Sequence, residues 1–398
     1  MPSTNITLVT RKRSGQAFVQ ICLRAIKQNL FSSWPNTLVT FLLLLVLGYL
    51  LKEAVYWIAV TAKWDVIVAN FQLLMVGQYP AAETWRVWII VTICSCLLGS
   101  AGGRQKGLWS HTSVFFLALF LLALLLPFLS LASRIWLAAN IVVMGAGYLL
   151  CKKWPGSRKA NLIGWICLVP LAILILQGAG AFHTVDSKLW GGFLLTILIA
   201  GISIVCSFPL GFLLALGRRS KLVVVRWFSV AYIELIRGVP LIAVLFMAQL
   251  MVPLFLGEGI ELSNVLRAII GFTLFNAAYF AETVRGGLQA IPRGQFEAAD
   301  ALGLSYIQKM GLVISPQAIR AVIPALVGNV IEVFKDTSLV AIVSLLDLIG
   351  IAKRIAANPQ FLGTQMEVYL FVAFIFIIFC FFMSYISKSL ERSFNVGR

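Results

Sequence analysis

The sequence predicts an all-α protein, a polytopic transmembrane helix bundle of about ten spans, and three observations carry that prediction. First, 60% of its residues are hydrophobic and only 12% are charged, at a mean hydropathy of +0.95, whereas a soluble domain carries roughly a quarter charged residues. Second, several apolar runs reach the roughly 20 residues that a helix needs to cross about 30 Å of hydrocarbon. Third, the 32 Lys and Arg residues fall in short clusters between those runs rather than along one face. That pattern sets membrane topology and argues against a nucleic-acid partner.

Taken in order, residues 1 to 36 form a basic segment (Arg11, Lys12, Arg13, Arg24, Lys27) without an apolar core long enough for a cleavable signal, so the N-terminus is expected to remain. Val19, Leu23, Ile26 and Leu30 recur at helical spacing, which suits a helix on an anionic leaflet or one packed on the bundle. Apolar runs follow near 37–60, 85–102, 113–133, 135–151, 161–181, 189–216, 240–257, 265–283, 322–351 and 366–388. The spans of 37–188 carry few motifs, whereas 189–398 alternates spans with polar segments, which suggests two transmembrane regions. With the N-terminus inside, most Lys and Arg lie on the inner side, in the tail and around Arg104, Lys152, Arg218, Arg285 and Lys388, and the C-terminus is inside too.

The seven cysteines fall mostly within apolar runs and lack metal-ligand spacing, and only His111 and His183 are present, so no metal site is expected. The sequence has no G-x-x-x-x-G-K-[ST] phosphate loop and no nucleophile with a plausible His partner. Catalytic residues are therefore not expected, nor a cofactor held by this chain.

The longest polar stretch follows the eighth run, from Glu282 to Gln317. Pro292 and Gly294 predict a turn, and 295–302 reads as a short helix stopped by Gly303, which can take the left-handed conformation. A second helical piece is predicted from Leu304 to about Val313, ending near Pro316. Helix, glycine break, helix is a shape suited to docking in another protein's groove.

Glu297, Ala298 and Ala299, then Gly303, then Val313, Ile314, Ser315 and Pro316 resemble the cytoplasmic EAA signature of permease subunits of ABC importers, which usually have isoleucine and leucine where this chain has Val313 and Ser315. The segments 232–241, 278–292 and 334–340 look like those of polar amino-acid permeases, and the strong match covers 189–390. The additional spans of 37–188 resemble the longer permeases of general L-amino-acid importers. The resemblance implies an importer-type five-span core over 189–398 and a coupling loop over about 284–320. In that loop Glu297 orients the docking helix, Ala298 and Ala299 permit close approach, Gly303 makes the bend and Pro316 closes the motif. It also implies a second permease subunit, two cytoplasmic ATPase subunits that use ATP and magnesium, an extracytoplasmic solute-binding protein, an amino-acid substrate, and a place in the bacterial cytoplasmic membrane.

Charged groups inside a span cost a few kcal/mol each on insertion scales, so Glu332, Lys335 and Asp336 need a reason to be there. Glu332 and Lys335 neutralise each other one turn apart, or the run Lys335, Asp336, Thr337 and Ser338 lines a substrate path, or both hold at once. Glu234 with Arg237, and Glu282 with Arg285, are spaced as local helix pairs. A secondary transporter using Lys335 and Asp336 as coupling groups would leave the elbow 297–316 unexplained, and a scaffold without transport would leave uptake intact when deleted.

Overall fold

The structure is a computed structural model that describes residues 30–104, 108–153, 157–178, 183–255 and 262–395. The helix expected through Val19, Leu23 and Ile26 lies outside these. Two compact units are present, Met1–Trp64 and Asp65–Arg398.

In the first unit, α1 (Trp34–Tyr56) begins at Ser33, whose side chain accepts from the Asn36 N–H, with proline in the first turn where its missing N–H costs nothing. It runs on through a π turn at Trp57–Thr61. Its large apolar side chains are exposed along the whole length, and Trp34 and Trp57 mark its ends, as in the aromatic belts of membrane spans.

The second unit contains α2 (Asp65–Val76), α3 (Thr84–Arg104), α4 (Leu108–Leu124), α5 (Leu131–Lys153), α6 (Ser157–Gln177) and α7 (Gly192–Arg218), then α8 (Val223–Arg237) and α9 (Leu241–Phe255). There follow α10 (Asn264–Gln289), α11 (Arg293–Ala301), α12 (Ser315–Asp336), α13 (Leu348–Ala356) and α14 (Gln365–Asn395). Among the described residues there is no strand, only isolated bridges joining Gly77 to Trp190 and Gly192 to Asp347.

Among the described residues eight helices are long and apolar enough to cross a membrane, and α8 with α9 makes a ninth if that bent pair is one span. The differences from the expected runs have physical causes. The run at 240–257 is the second arm of a pair bent by 105° at Gly238–Pro240, where proline cannot continue the preceding helix. The run at 113–133 becomes the 17-residue α4, followed by a turn around Pro127. The 12-residue α2 is an apolar helix that length alone could not flag. The run at 322–351 divides: α12 tightens into a 3-10 segment at Thr337–Val343, the chain reverses at Ser344 with a left-handed φ of 65°, and α13 starts afresh at the Asp347 cap.

The two groups of spans pack differently. Gly99 and Gly103 of α3 lie against α5, where an added Cβ would overlap the backbone at Met144 and Tyr148. Small residues four apart let helix backbones meet closely in lipid, where apolar side chains give helices no hydrophobic reason to associate. Around that contact, Ser95 donates to the buried Asn140 side chain at 2.9 Å, and Asn161 of α6 donates to the Leu97 carbonyl at 2.8 Å. In the later spans α10 is the central helix, with most of its residues buried. It packs on α7 through Phe272, Phe275, Phe280 and Leu195, and on α12 where Gly287 meets Ala318.

Candidate functional site

Two features stand out from the bundle: the elbow between α10 and α12, and the polar turn at the end of α12. The elbow begins after α10 with Pro292, which caps α11 in an extended conformation. At the other end of α11 the Leu304 N–H donates to the Ala299 carbonyl at 3.2 Å and the Gly303 N–H to Asp300 at 2.9 Å, with Gly303 at φ +68°. This pair of bonds is a Schellman cap, and the left-handed residue it requires is glycine because a Cβ there meets the carbonyl. Ser305 and Gln308 then cap the next turn reciprocally.

The second piece does not stop near Pro316, as the sequence suggested. A π turn at Lys309–Ile314 leads directly into α12, with Pro316 in the first turn of that helix. Widening the ladder just before a proline moves the preceding carbonyls away from its ring and leaves none waiting for the absent N–H. The elbow and the span are thus one continuous helical path from Tyr306 to Val343.

Cross-links fix α11 to the bundle. Asp300 pairs with Lys309, the Gln317 side-chain amide donates to the Gln295 side-chain Oε1 at 3.0 Å, and the Arg219 guanidinium lies over the Phe296 ring at 5.7 Å. Ala299 is buried at 2% exposure, while Ala298 is exposed, so only one of the two alanines is free to meet a partner. Glu297 is exposed and has no hydrogen bond or ion pair among the described residues, whereas Gln295, Phe296 and Asp300 make the ties within this chain. Leu302, Ile307 and Leu312 project outward at 78%, 82% and 72% exposure. Ser315, the departure from the family's pattern, is buried, and its hydroxyl has no partner among the described residues.

Beside the elbow, five charges converge from three helices. Arg218 of α7 binds Glu234 of α8 at 2.9 Å and approaches Glu282 of α10 at 3.6 Å. Glu282 also pairs with Arg285, as its spacing predicted, and with Arg237 at 3.8 Å. The expected local pair of Glu234 with Arg237 does not form, because Arg218 takes Glu234 and Arg237 turns to Glu282 and the Tyr279 ring. Arg218 serves this cluster and its neighbour Arg219 serves the elbow.

At the polar turn, Glu332 and Lys335 are exposed, Asp336 and Ser338 are partly buried, and Thr337 is fully buried with its hydroxyl given to the Phe334 carbonyl at 2.7 Å. No ion pair joins Glu332 to Lys335, so mutual neutralisation is not what holds these charges in a span. One turn before them, Asn329 donates to Thr283 at 2.9 Å and locks α12 onto α10. Neither that bond nor the ties of Arg218, Arg219, Gln317 and Lys309 had a signal in the sequence, since each joins residues on separate elements. Among the described residues no group of His, Cys, Asp and Glu is placed to hold a metal ion.

The elbow thus joins two spans of a multi-pass helical protein, tied to the bundle by side chains and tipped with exposed apolar residues. The family described as binding-protein-dependent transport system inner membrane component matches residues 207–396. The inner membrane amino-acid ABC transporter permease protein YhdY of Escherichia coli is 39% identical over 377 residues, 94% of this chain and 93% of that protein. The glutamate/glutamine/aspartate/asparagine transport system permease protein BztC of Rhodobacter capsulatus is 38% identical over 93% of each chain. A solved amino acid ABC transporter with histidines is 28% identical over 51% of this chain and 92% of that chain, with a TM-score of 0.46. This chain belongs to the family of binding-protein-dependent transport system inner membrane components, and is a multi-pass protein of the inner membrane.

Proposed function

We infer that this chain is the permease subunit of an ABC importer for amino acids, and that ATP is hydrolysed by a separate subunit. The observation that carries the reading is the elbow: it is fastened to the core by Asp300, Gln295 and Phe296, yet exposes Leu302, Ile307 and Leu312 to a partner. Exposed large apolar side chains clustered on a rigid element mark an interaction site. A continuous helix then leads from the elbow to the polar turn, so a displacement of one is delivered to the other.

In this reading the elbow faces the cytoplasm, with both termini inside, and inserts into a cleft of an ATPase subunit that holds ATP and magnesium. Glu297 and Ala298 face that cleft, and Gly303 sets the angle. Glu332 and Lys335, exposed in this chain, face a path shared with a second permease subunit, identical or related; Asp336, Thr337 and Ser338 border it. An extracytoplasmic binding protein delivers the amino acid, and each partner drives the cycle through its differential affinity for the two states.

The purified chain alone is expected to hydrolyse no ATP. Assembled with its ATPase and binding protein, hydrolysis should rise when the binding protein is loaded with amino acid. Hydrolysis by the isolated chain, or uptake that an ionophore stops while ATP remains, would overturn the reading.

A further inference from the structure

The spans that precede the family's core are connected to the polar turn through aromatic rings. Apolar side chains give helices in lipid little reason to prefer one another over acyl chains, so interlocking side chains decide which surfaces stay together. Along α14 the ring positions Phe379, Phe382 and Tyr385 recur every three residues. Facing them on α4, His111 stacks on Tyr385 at 5.6 Å, and Phe115 stacks on Phe382 at 3.7 Å with the planes 8° apart. Phe115 also meets Phe379 edge-on at 6.1 Å and 82°. The partners run in opposite order along the two helices, so α4 and α14 are antiparallel.

On its other side Phe379 lies 6.0 Å from Phe334 of α12, and Phe376 lies 5.2 Å from the same ring. Phe334 is 3% exposed and directly precedes Lys335 and Asp336, at the point where α12 tightens into the 3-10 segment Thr337–Val343. Ring contacts are directional, edge toward face or offset face on face, so they fix orientation as well as distance. The ring at the end of this chain therefore limits where the following turn points. At the far end of α14 the same arrangement is repeated by α2, where Phe71 meets Phe371 at 6.4 Å.

We propose that α4 is a positioning element for the translocation path: Phe115, acting through Phe379, holds Phe334 and so sets the direction of residues 335–338. The proposal rests on the reading of that turn as lining the path. It assigns the leading spans a part in transport, beyond enlarging the bundle. Phe115 is a positioning residue and touches no substrate.

The test uses the assembled importer in proteoliposomes, with a radiolabelled mixture of L-amino acids as the probe and uptake per ATP hydrolysed as the first readout. Phe115→Leu, which keeps apolar bulk and loses the ring, should lower that ratio about five-fold, the weight of one ring pair. Phe115→Tyr should restore it, and Phe381→Leu, on the 74% exposed face of α14, should leave it unchanged. Phe379→Leu should reproduce the Phe115→Leu result. A second readout is the maleimide labelling rate of Ser338→Cys in a background without native cysteines, expected to change several-fold with Phe115→Leu. A lowered Tm with an unchanged ratio and unchanged labelling would reduce the seam to packing and overturn the proposal. Absence of amino-acid uptake by the unaltered complex would instead count against the functional reading, and the labelling rate would still decide the inference.

Discussion

The helices α3 to α6 and the core from α7 onward solve the same problem, holding helices together in lipid, by different means. The first group uses close backbone contact at Gly99 and Gly103 and a few internally satisfied pairs such as Ser95 with Asn140. The core buries α10 on most sides and then places charges and apolar side chains outside it, in the Glu282 cluster, at Glu332 and Lys335, and at the elbow tip. Where polar groups are satisfied within the chain, they serve the fold. Where they are left facing outward on rigid supports, they are available to partners.

Substitutions sharpen that contrast, beginning with the largest effect. Gly303→Val forces a β-branched side chain into a left-handed φ of +68° although the space around it is open, at a cost of about 1–2 kcal/mol in backbone strain. Uptake in whole cells should fall at least about ten-fold with the protein still inserted, whereas Gly303→Asn should retain most of it, since Asn tolerates that conformation. Wild-type uptake in the valine variant would break the distinction between elbow and scaffold.

Gly99→Leu tests the other side of the comparison. The leucine has no room against Met144, and overpacking costs about 1–3 kcal/mol, so the thermal unfolding midpoint of the complex should drop while uptake per ATP stays the same. Glu282→Gln leaves Arg218 and Arg237 without their shared carboxylate. A loss of about 1–2 kcal/mol is expected, read as a lower midpoint accompanied by looser coupling of hydrolysis to uptake.

The smallest effect concerns Asp347, which lies between the last two spans and caps α13 by accepting from the Gly350 N–H at 2.8 Å and the Ile349 N–H at 3.2 Å. Burial pushes its carboxyl up to about 7, against a partial counter-effect of those N–H groups and of Lys353. A carboxyl with a raised folded pKa binds its proton more tightly when folded, so its contribution is full below the unfolded value near 4 and is lost as pH rises through 7. The midpoint of the unaltered protein should fall by a few degrees between pH 5 and 8. Asp347→Asn keeps the cap, should abolish that slope, and should be the more stable form at pH 8.

Much of this division was legible in the sequence. The apolar runs located the long helices because periodicity and length are local properties, and Gly303 located the bend because glycine takes the left-handed conformation more readily than other residues. Four things were not legible, for reasons of physics. The 105° break at Gly238–Pro240 joins the run at 240–257 to a helix over Val223–Arg237 that its charges kept from showing as an apolar run. The π turn at Lys309–Ile314 carries a helix across Pro316 where a proline normally ends one. The pairing of Arg218 with Glu234 displaces the i,i+3 pair that local spacing favours, because α7, α8 and α10 converge and a better-placed partner arrives from another helix. The seam from Phe115 to Phe334 was likewise hidden, since phenylalanine in an apolar run reads only as lipid-facing bulk.

The account depends most on the elbow being the surface that an ATPase subunit grips. Leu302→Cys, at 78% exposure on the tip of the elbow, permits a direct measurement: disulfide or bifunctional crosslinking to cysteines placed in the ATPase subunit, within the assembled membrane complex. A crosslinked product that forms in intact complexes and halts ATP-driven uptake until it is reduced is the result predicted here. Labelling of the same cysteine by a membrane-impermeant reagent added outside intact cells, with no product to the ATPase, would contradict it.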